Sequence, residues 1–147
     1  MWENTSINFI YMVDNAKMID ALKIAIGAAD DKKAHDMVAL DISEIASFAD
    51  YFLICTGDSS RQIQAVADEV EERLRAHGIR PSHVEGYQHG EWVLMDYMDF
   101  VVHIFSKTAR AYYDLERLWR DGKKLDTEKI LQEIGPKPIP RKSRKAL

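Results

Sequence analysis

The chain has 147 residues and a formal charge of −4, with 46% hydrophobic and 30% charged residues, a composition typical of one globular domain. Residues 123–147 carry eight basic and three acidic side chains, or +5, so residues 1–122 carry 12 basic and 21 acidic ones, or −9. Because residues 1–122 are acidic, neutralisation of nucleic-acid phosphates is excluded as the main source of binding affinity, and a basic partner is favoured. The single cysteine, Cys55, excludes an internal disulfide and a multi-cysteine metal site.

Residues 1–15 are predicted to be an N-terminal extension, followed by a helix over 15–29 whose apolar residues recur at helical spacing. The apolar segment INFIYMV in the extension has no positive residues before it and no small-residue cleavage site after it. It therefore does not resemble a secretion signal, and the expected location is the cytoplasm.

Two short apolar runs, Met37–Ile42 and Tyr51–Cys55, predict buried strands separated by a polar loop. A helix is predicted over 59–77. Ser59 and Gln62 give it a capping-box pattern, and an apolar stripe runs along one of its faces. Gly78 is well placed to end it.

Three further strands are predicted at His83–Glu85, Trp92–Met95 and Phe100–Phe105, the last two at hairpin spacing. The hairpin requires at least one antiparallel pair of strands. The sequence therefore predicts a single α/β domain with a mixed sheet flanked by helices.

A helix over 107–120 is predicted next, with Ala109, Tyr112, Leu115, Leu118 and Trp119 available for packing. A short helix, capped by Asp126 or Thr127, is expected to end at Ile134, before Gly135 and Pro136. The predicted domain ends at residue 121, and residues 122–147 are interpreted as a basic, proline-containing tail.

The turn at 57–60, between a strand and a helix, raises the alternative of a nucleotidyltransferase-like enzyme that binds a Mg-nucleotide. Free amides at a helix N-terminus favour anions. However, the turn has one glycine, no lysine and an aspartate that would repel phosphate. The nearby acids Asp41, Asp50, Asp96 and Asp99 lack the paired D-x-D spacing of a two-metal site. Helix capping is the better interpretation, and no metal ligand set is predicted.

Aromatic residues flanked by acids occur in two segments: the hairpin with Trp92, and the following helix with Tyr113 and Trp119. In an interface, such rings provide contact area and the acids select a basic partner. The same residues also suit a core with a solvated acidic rim. The residues alone leave both interpretations open.

Three segments together resemble the Iojap family of ribosomal silencing factors: ADYFLICTGDSSRQIQAVADEV (49–70), EGYQHGEWVLMDYMDFVVHIF (85–105) and ARAYYDLERLW (109–119). The resemblance extends from Ala16 to Arg120 and gives a ribosomal silencing factor domain at 16–121. It implies a fold similar to that of nucleotidyltransferases without their catalytic acids, with no enzymatic activity and no cofactor.

The resemblance also implies a translational repressor. Such a protein binds the large ribosomal subunit through ribosomal protein L-fourteen. It sterically blocks association with the small subunit and so lowers translation under nutrient limitation. Homodimers are a further expectation from the family. The basic tail is expected to be free to contact rRNA.

Residues carried over from the family motifs fall into two groups. The predicted partner-binding residues are Trp92, Asp96, Asp99, Tyr113, Glu116 and Trp119. The predicted structural residues are Asp50, Tyr51, Gly57, Ser59, Arg61, Glu85, Gly86, His103 and Arg110. His103 interrupts an apolar strand, which indicates a hydrogen-bonded core residue.

Met98 departs from the family pattern, which usually has glycine at this position of the hairpin. Glycine adopts positive φ without strain. Met98 is therefore expected to change the turn, to accept a strained backbone, or to add apolar contact at the interface.

Overall fold

A six-stranded mixed sheet organises residues 19–134, the part of the chain that the computed structural model describes. In chain order, these residues form helix α1 (19–31), strands β1 (His35–Asp41) and β2 (Tyr51–Thr56), helix α2 (Ser60–Ala76), strands β3 (His83–Glu85), β4 (Trp92–Asp96) and β5 (Phe100–Phe105), helices α3 (Lys107–Tyr113) and α4 (Leu115–Leu118), strand β6 (Lys123–Leu125) and helix α5 (Thr127–Ile134).

The strands lie in the order β3-β4-β5-β2-β1-β6. Strands β2 and β5 are parallel, and every other neighbouring pair is antiparallel. This arrangement confirms the predicted α/β domain with a mixed sheet. The two central strands are mostly apolar, with Thr56 and His103 as buried polar exceptions, because both of their faces are covered.

The two faces of the sheet are covered unequally, as strand β4 shows. Val93 and Met95 are fully buried on one face, whereas Trp92, Leu94 and Asp96 are half-buried on the other. We call the first the helix-covered face, because apolar residues of α1, α2 and α5 pack on it. We call the second the open face; α3, α4 and the loop between β1 and β2 cover only part of it.

Helix α2 confirms the predicted helix over 59–77. The Ser59 side chain caps it by accepting a hydrogen bond from the Gln62 amide at 3.0 Å. The predicted apolar stripe is buried on the helix-covered face. Gly78 follows the helix with φ +77°, a conformation that glycine adopts without strain.

The predicted helix over 107–120 is wrong, because the helix breaks at Asp114. This residue adopts a left-handed conformation (φ +50°), and its amide donates to the Arg110 carbonyl at 3.0 Å. The break turns α4 away from the line of α3. Tyr112 and Leu118 were expected to pack but are 81% and 71% exposed.

The predicted start of the tail at residue 122 is also wrong. Strand β6 pairs with β1 over Ala39–Asp41, and Ile130 and Leu131 of α5 pack against the core. The lysines of β6 are typical of an edge strand, where charge blocks pairing with other chains. In the sequence, the same lysines are indistinguishable from the start of a basic tail. The predicted short helix is confirmed as α5.

The segments 1–18 and 135–147 lie outside the described residues, and with them the predicted extension and the proline-containing end of the tail. Across residues 19–134, no helix has the length and apolar character needed to cross a membrane.

Candidate functional site

The open face of β4 and β5 brings together aromatic residues that are distant in sequence. Trp92 lies opposite Phe105, and Leu94 lies opposite His103, in the antiparallel pairing of the two strands. Because paired residues project to the same side of a sheet, these side chains form one patch. Asp96 continues the same row, about 13 Å from Trp92 along the strand.

A continuous series of rings extends from this patch in both directions. Tyr113 packs on Trp92 with ring centroids 4.5 Å apart, and Tyr112 packs on Tyr113 at 5.0 Å. On the other side, His103 contacts Phe52 at 4.8 Å. Beyond it, Trp119 contacts Phe52 at 5.4 Å and Phe48 at 5.6 Å. We call this series the aromatic band: Tyr112, Tyr113, Trp92, Phe105, His103, Phe52, Trp119 and Phe48.

The ends of the aromatic band are exposed to solvent. Phe48 is 57% exposed and Tyr113 is 50% exposed. A groove of about 610 Å³ runs along α3 and α4 beside the band, lined by the tyrosines together with Arg117 and Leu118. Charged residues also line this groove, and the exposed apolar area comes from the rings at the two ends of the band and from Leu118. Exposed apolar area of this kind is typical of a protein-binding surface.

His103 lies at the centre of the band and is 4% exposed. Its Nδ1 atom lies 3.1 Å from Nε1 of Trp92. An indole nitrogen can only donate, so Nδ1 accepts and the imidazole is neutral with its proton on Nε2. Burial lowers the pKa of His103 to about 4, which keeps it neutral at physiological pH. Its Nε2 atom is buried and has no hydrogen-bond partner among the described residues.

Four carboxylates lie at one end of the sheet, where β1 and β4 end and β2 and β5 begin; we call this the acidic end (Asp41, Asp50, Asp96 and Asp99). The Asp99 carbonyl accepts from the amide of Asp50 at 2.7 Å. Partial burial raises the pKa of Asp50, and the nearby Asp99 and Asp41 carboxylates raise it further. Within residues 19–134, no group of three or more His, Cys, Asp or Glu side chains has an arrangement that could hold a metal ion.

Met98 sits at the tip of the hairpin in a left-handed conformation with φ +71°. Of the alternatives raised by its sequence, the structure supports a strained backbone. Asp96 supports the turn, because its carboxylate accepts from the Met98 amide at 2.8 Å. The Met98 side chain is 65% exposed and extends the apolar surface next to the acidic end.

Arg110 joins α3 to three other parts of the fold. Its guanidinium donates to Glu116 of α4 at 2.7 Å, to Thr56 of β2 at 2.8 Å and to the carbonyl of Asp36 in β1 at 2.5 Å. The predicted partner-binding residue Glu116 is thus already paired within the domain. Arg110 holds α3 and α4 beside the aromatic band.

The turn at 57–60 is filled by the protein's own groups. The Asp58 amide donates to the Gln62 side chain at 2.6 Å, and Ser59 caps the helix as described above. The Asp58 carboxylate lies 2.7 Å from Nε2 of His35, and this hydrogen bond is the main cause of the raised pKa of His35. At Gly57 a Cβ atom would lie 2.7 Å from the Ile63 side chain, so the glycine serves close packing.

The remaining predicted structural residues are not members of the band, although Gly86 lies against the backbone of Trp92. Tyr51 begins β2, Arg61 is exposed in the first turn of α2, and Glu85 is paired with His83 on β3. Gly86 has φ +78°, and a Cβ atom there would lie 2.0 Å from the Trp92 carbonyl oxygen. Gly86 therefore lets the chain pass close to Trp92.

Cys55 is fully buried in β2, and burial raises the pKa of its thiol to about 12.

Sequence reasoning missed several members of the open face. Phe48 lies within the polar loop between the first two predicted strands, and Leu94 and Phe52 were interpreted as strand residues of the core. One pattern in the hairpin could have indicated this face: Trp92, Leu94 and Asp96 alternate along one strand, and His103 and Phe105 alternate along the next. Pairing these two strands places all five on one face.

Comparisons with known proteins give a consistent assignment. A family model described as "Ribosomal silencing factor during starvation" matches residues 15–146. The ribosomal silencing factor RsfS of Bacillus subtilis is 48% identical over 107 residues, covering 73% of this chain and 91% of that protein. RsfS of Halalkalibacterium halodurans is 45% identical over 112 residues, covering 76% and 96%.

Solved structures agree with this assignment. A crystal structure of a Chromobacterium violaceum protein matches with a TM-score of 0.69 and 39% identity, covering 74% of this chain and 90% of that one. A crystal structure of a Bacillus halodurans protein matches with a TM-score of 0.66 and 44% identity, covering 73% and 97%. The plant protein named "Iojap-related, mitochondrial" from Arabidopsis thaliana is 31% identical. This chain therefore belongs to the ribosomal silencing factor family.

Proposed function

We propose that this protein represses translation by docking its open face on ribosomal protein L-fourteen of the large subunit, which blocks association with the small subunit. The observation that carries the proposal is the aromatic band, a partly exposed series of rings next to the acidic end. Membership of the ribosomal silencing factor family supports a ribosomal partner and a role in silencing translation. The proposal requires neither catalysis nor a cofactor.

The chemistry of the open face suits a basic protein partner. Each aromatic side chain that becomes buried removes 150–250 Å² from water. A few exposed rings and Met98 can therefore supply much of the roughly 800 Å² that one side of a specific interface buries. The carboxylates of the acidic end would attract and orient Lys and Arg side chains.

A steric mechanism follows from size. A domain of this length has a radius of gyration of about 13 Å, so a docked copy keeps the facing surface of the small subunit well away from the large subunit. Such a repressor acts by occupancy, and one copy per large subunit is sufficient. We place this activity in the cytoplasm.

Capture of purified bacterial large subunits, or of isolated L-fourteen, by the immobilised protein tests the docking face. We expect the Asp96→Asn/Asp99→Lys variant to capture several-fold less of either. Asn at position 96 keeps an oxygen that can accept from the Met98 amide, so the turn is preserved. The matched control is Asp20→Asn/Glu72→Lys, which makes the same charge change at exposed helical positions away from the open face. Equal capture by the two folded variants would refute the placement.

Light scattering of purified subunits as they associate tests the steric mechanism. Stoichiometric protein is expected to lower the fraction of joined ribosomes, and the aspartate variant is expected to do so less than its control. Normal association at a several-fold excess of wild-type protein would overturn the mechanism even if docking is observed.

The basic segment 136–147 is proposed to contact rRNA beside the docking face. Deleting it should weaken binding to whole large subunits and flatten the salt dependence, while binding is retained. Binding to isolated L-fourteen should be unchanged by the deletion. Equal losses on both partners would contradict an rRNA contact.

Sedimentation of the free protein would show whether it forms the homodimers expected from the family.

A further inference from the structure

We infer that His103 is a positioning residue for docking: its neutral Nδ1 atom holds the Trp92 indole in the orientation that the open face presents to the partner. This inference rests on the proposed function. His103 itself has no exposed surface to offer a partner, since it is 4% exposed. Any effect on docking must pass through the ring that it contacts.

The first support is the hydrogen bond from Trp92 Nε1 to His103 Nδ1 at 3.1 Å. The half-buried Trp92 ring also packs on Phe105 at 5.0 Å and on Tyr113 at 4.5 Å, but these contacts are to apolar ring surfaces and do not fix where the indole N–H points. A fixed acceptor beneath it selects one orientation. Such fixing lowers the entropic cost of binding, because the ring does not have to be ordered when the partner arrives.

The second support is that the surroundings of His103 are unfavourable for a histidine. Its Nε2–H group is buried and has no hydrogen-bond partner in the described part of the chain. An apolar residue would avoid this loss. The neighbouring rings leave only the Nδ1 side with a polar contact. The histidine is thus explained by what it does for Trp92 and not by packing.

The third support is that the other side chains around His103 in the sheet cannot replace this acceptor. Leu94, opposite His103 in the strand pairing, is apolar. Phe52 and Phe105, whose rings pack on His103 at 4.8 and 6.1 Å, are also apolar. Burial keeps the imidazole neutral through the physiological range, so the acceptor is always available.

Two substitutions of His103 test the contributions of its acceptor atom and of its ring separately. His103→Phe keeps a ring of similar size and removes the acceptor. His103→Asn places an oxygen where Nδ1 stood and removes most of the ring. We expect His103→Phe to bind large subunits about 5- to 10-fold more weakly, which is the scale of one hydrogen bond, and His103→Asn to bind within about 2-fold of wild type. His89→Gln, a change at an exposed histidine, serves as the control.

A spectroscopic measurement on the free protein reports the link directly. The Trp92 indole N–H signal, assigned by Trp92→Phe, is expected to exchange with water faster in His103→Phe and to stay protected in His103→Asn. In the Trp92→Phe background, His103→Phe should cause no further loss of binding, because the pair then has no hydrogen bond to lose.

The outcomes are distinct. Equal binding by wild type and His103→Phe, or weakening by His103→Asn as large as by His103→Phe while both stay folded, would overturn the inference alone. Failure of the wild-type protein to bind large subunits would overturn the proposed function and the inference with it.

Discussion

Gly78 and Gly86 have nearly the same backbone angle, φ +77° and +78°, but different surroundings. A Cβ atom at Gly78 would meet nothing within 4 Å, whereas one at Gly86 would lie 2.0 Å from the Trp92 carbonyl oxygen. The two positions therefore separate the cost of a left-handed alanine from the cost of a clash next to the aromatic band.

Gly78→Ala is predicted to lower the free energy of unfolding by about 1 kcal/mol, the cost of a left-handed conformation for a residue with a side chain. Gly86→Ala is predicted to cost at least about 3 kcal/mol, because the backbone beside Trp92 must also move. Urea denaturation measures both. Equal losses would show that the loop relaxes freely around Trp92.

His103 makes stability depend on pH in a defined window. Its pKa is about 4 in the folded protein, against an ordinary value of 6.5 for a histidine in an unfolded chain. As pH falls from about 6.5 to 4, the unfolded chain takes up a proton that the folded protein does not, so the histidine's contribution to stability falls. The shift corresponds to a loss of at most about 3 kcal/mol.

Urea denaturation at several pH values between 4 and 7.5 tests this prediction. Carboxylates also titrate there, so the informative quantity is the difference between wild type and His103→Phe. Wild type should lose more stability on acidification than the variant does, whereas His89→Gln should follow wild type. Parallel curves for wild type and His103→Phe would mean that the histidine is not kept neutral by the fold.

Single-residue expectations from the sequence succeeded where a local rule applied. The missing glycine at Met98 signalled a strained turn because hairpin geometry is set by a few residues. The left-handed Asp114 was not predicted, because the helix break goes together with Arg110 contacts to β1, β2 and α4 that no local pattern shows. Contacts between distant segments cannot be derived from spacing.

At the scale of elements, the short helix α4 depends on Arg110 more than on its own sequence. Four residues are too few to form a stable helix alone. In the described structure, α4 buries no residue fully, and Glu116 ties it to α3 through Arg110 at 2.7 Å. The guanidinium in turn satisfies Thr56 and a β1 carbonyl.

Replacing Arg110 with methionine is predicted to lower the free energy of unfolding by about 1–3 kcal/mol, because the buried Thr56 hydroxyl loses its donor. It should also speed amide hydrogen exchange in α4, in particular at Trp119, whose amide donates to Leu115 at 2.9 Å. The control Glu116→Gln keeps an acceptor and should have a smaller effect on both. Unchanged exchange in Arg110→Met would show that α4 is held by packing alone.

The elements that the sequence predicted well are those with strong local signals. Helix α2 has a cap, an apolar stripe and a terminal glycine, and its bounds agree within a residue at each end. Strand β6 was missed because it has three residues, two of them lysines, and exists only through its pairing with β1. Its neighbour α5 was predicted correctly as a helix but was assigned to the tail.

For the whole molecule, the predicted site residues fall into two regions of the open face. Trp92 and Tyr113 lie at one end of the aromatic band, and Trp119 lies near the other end, towards Asp96 and Asp99. Sequence reasoning supplied these residues from motifs but not the rings of Phe52 and Phe48 that join them. The joining required the strand order, which no local pattern specifies.

The charge of the molecule predicts how docking responds to salt. Association with isolated L-fourteen should slow several-fold between about 50 and 300 mM salt, since screening weakens attraction between exposed charges, whereas dissociation should change little. The rate constants can be measured by stopped-flow fluorescence. The Asp96→Asn/Asp99→Lys variant should show a flatter dependence than its control. A salt-independent association rate would mean that the acidic end does not steer the encounter.

The only thiol of the chain lies in a central strand, out of contact with solvent and with a raised pKa. A labelling reagent can reach Cys55 only when β2 is uncovered, which requires the sheet to open. The protein thus carries a natural reporter of global opening, and the labelling rate can be compared with and without bound ribosomal subunits. Any slowing measures how strongly the partner holds the fold closed, without an added probe.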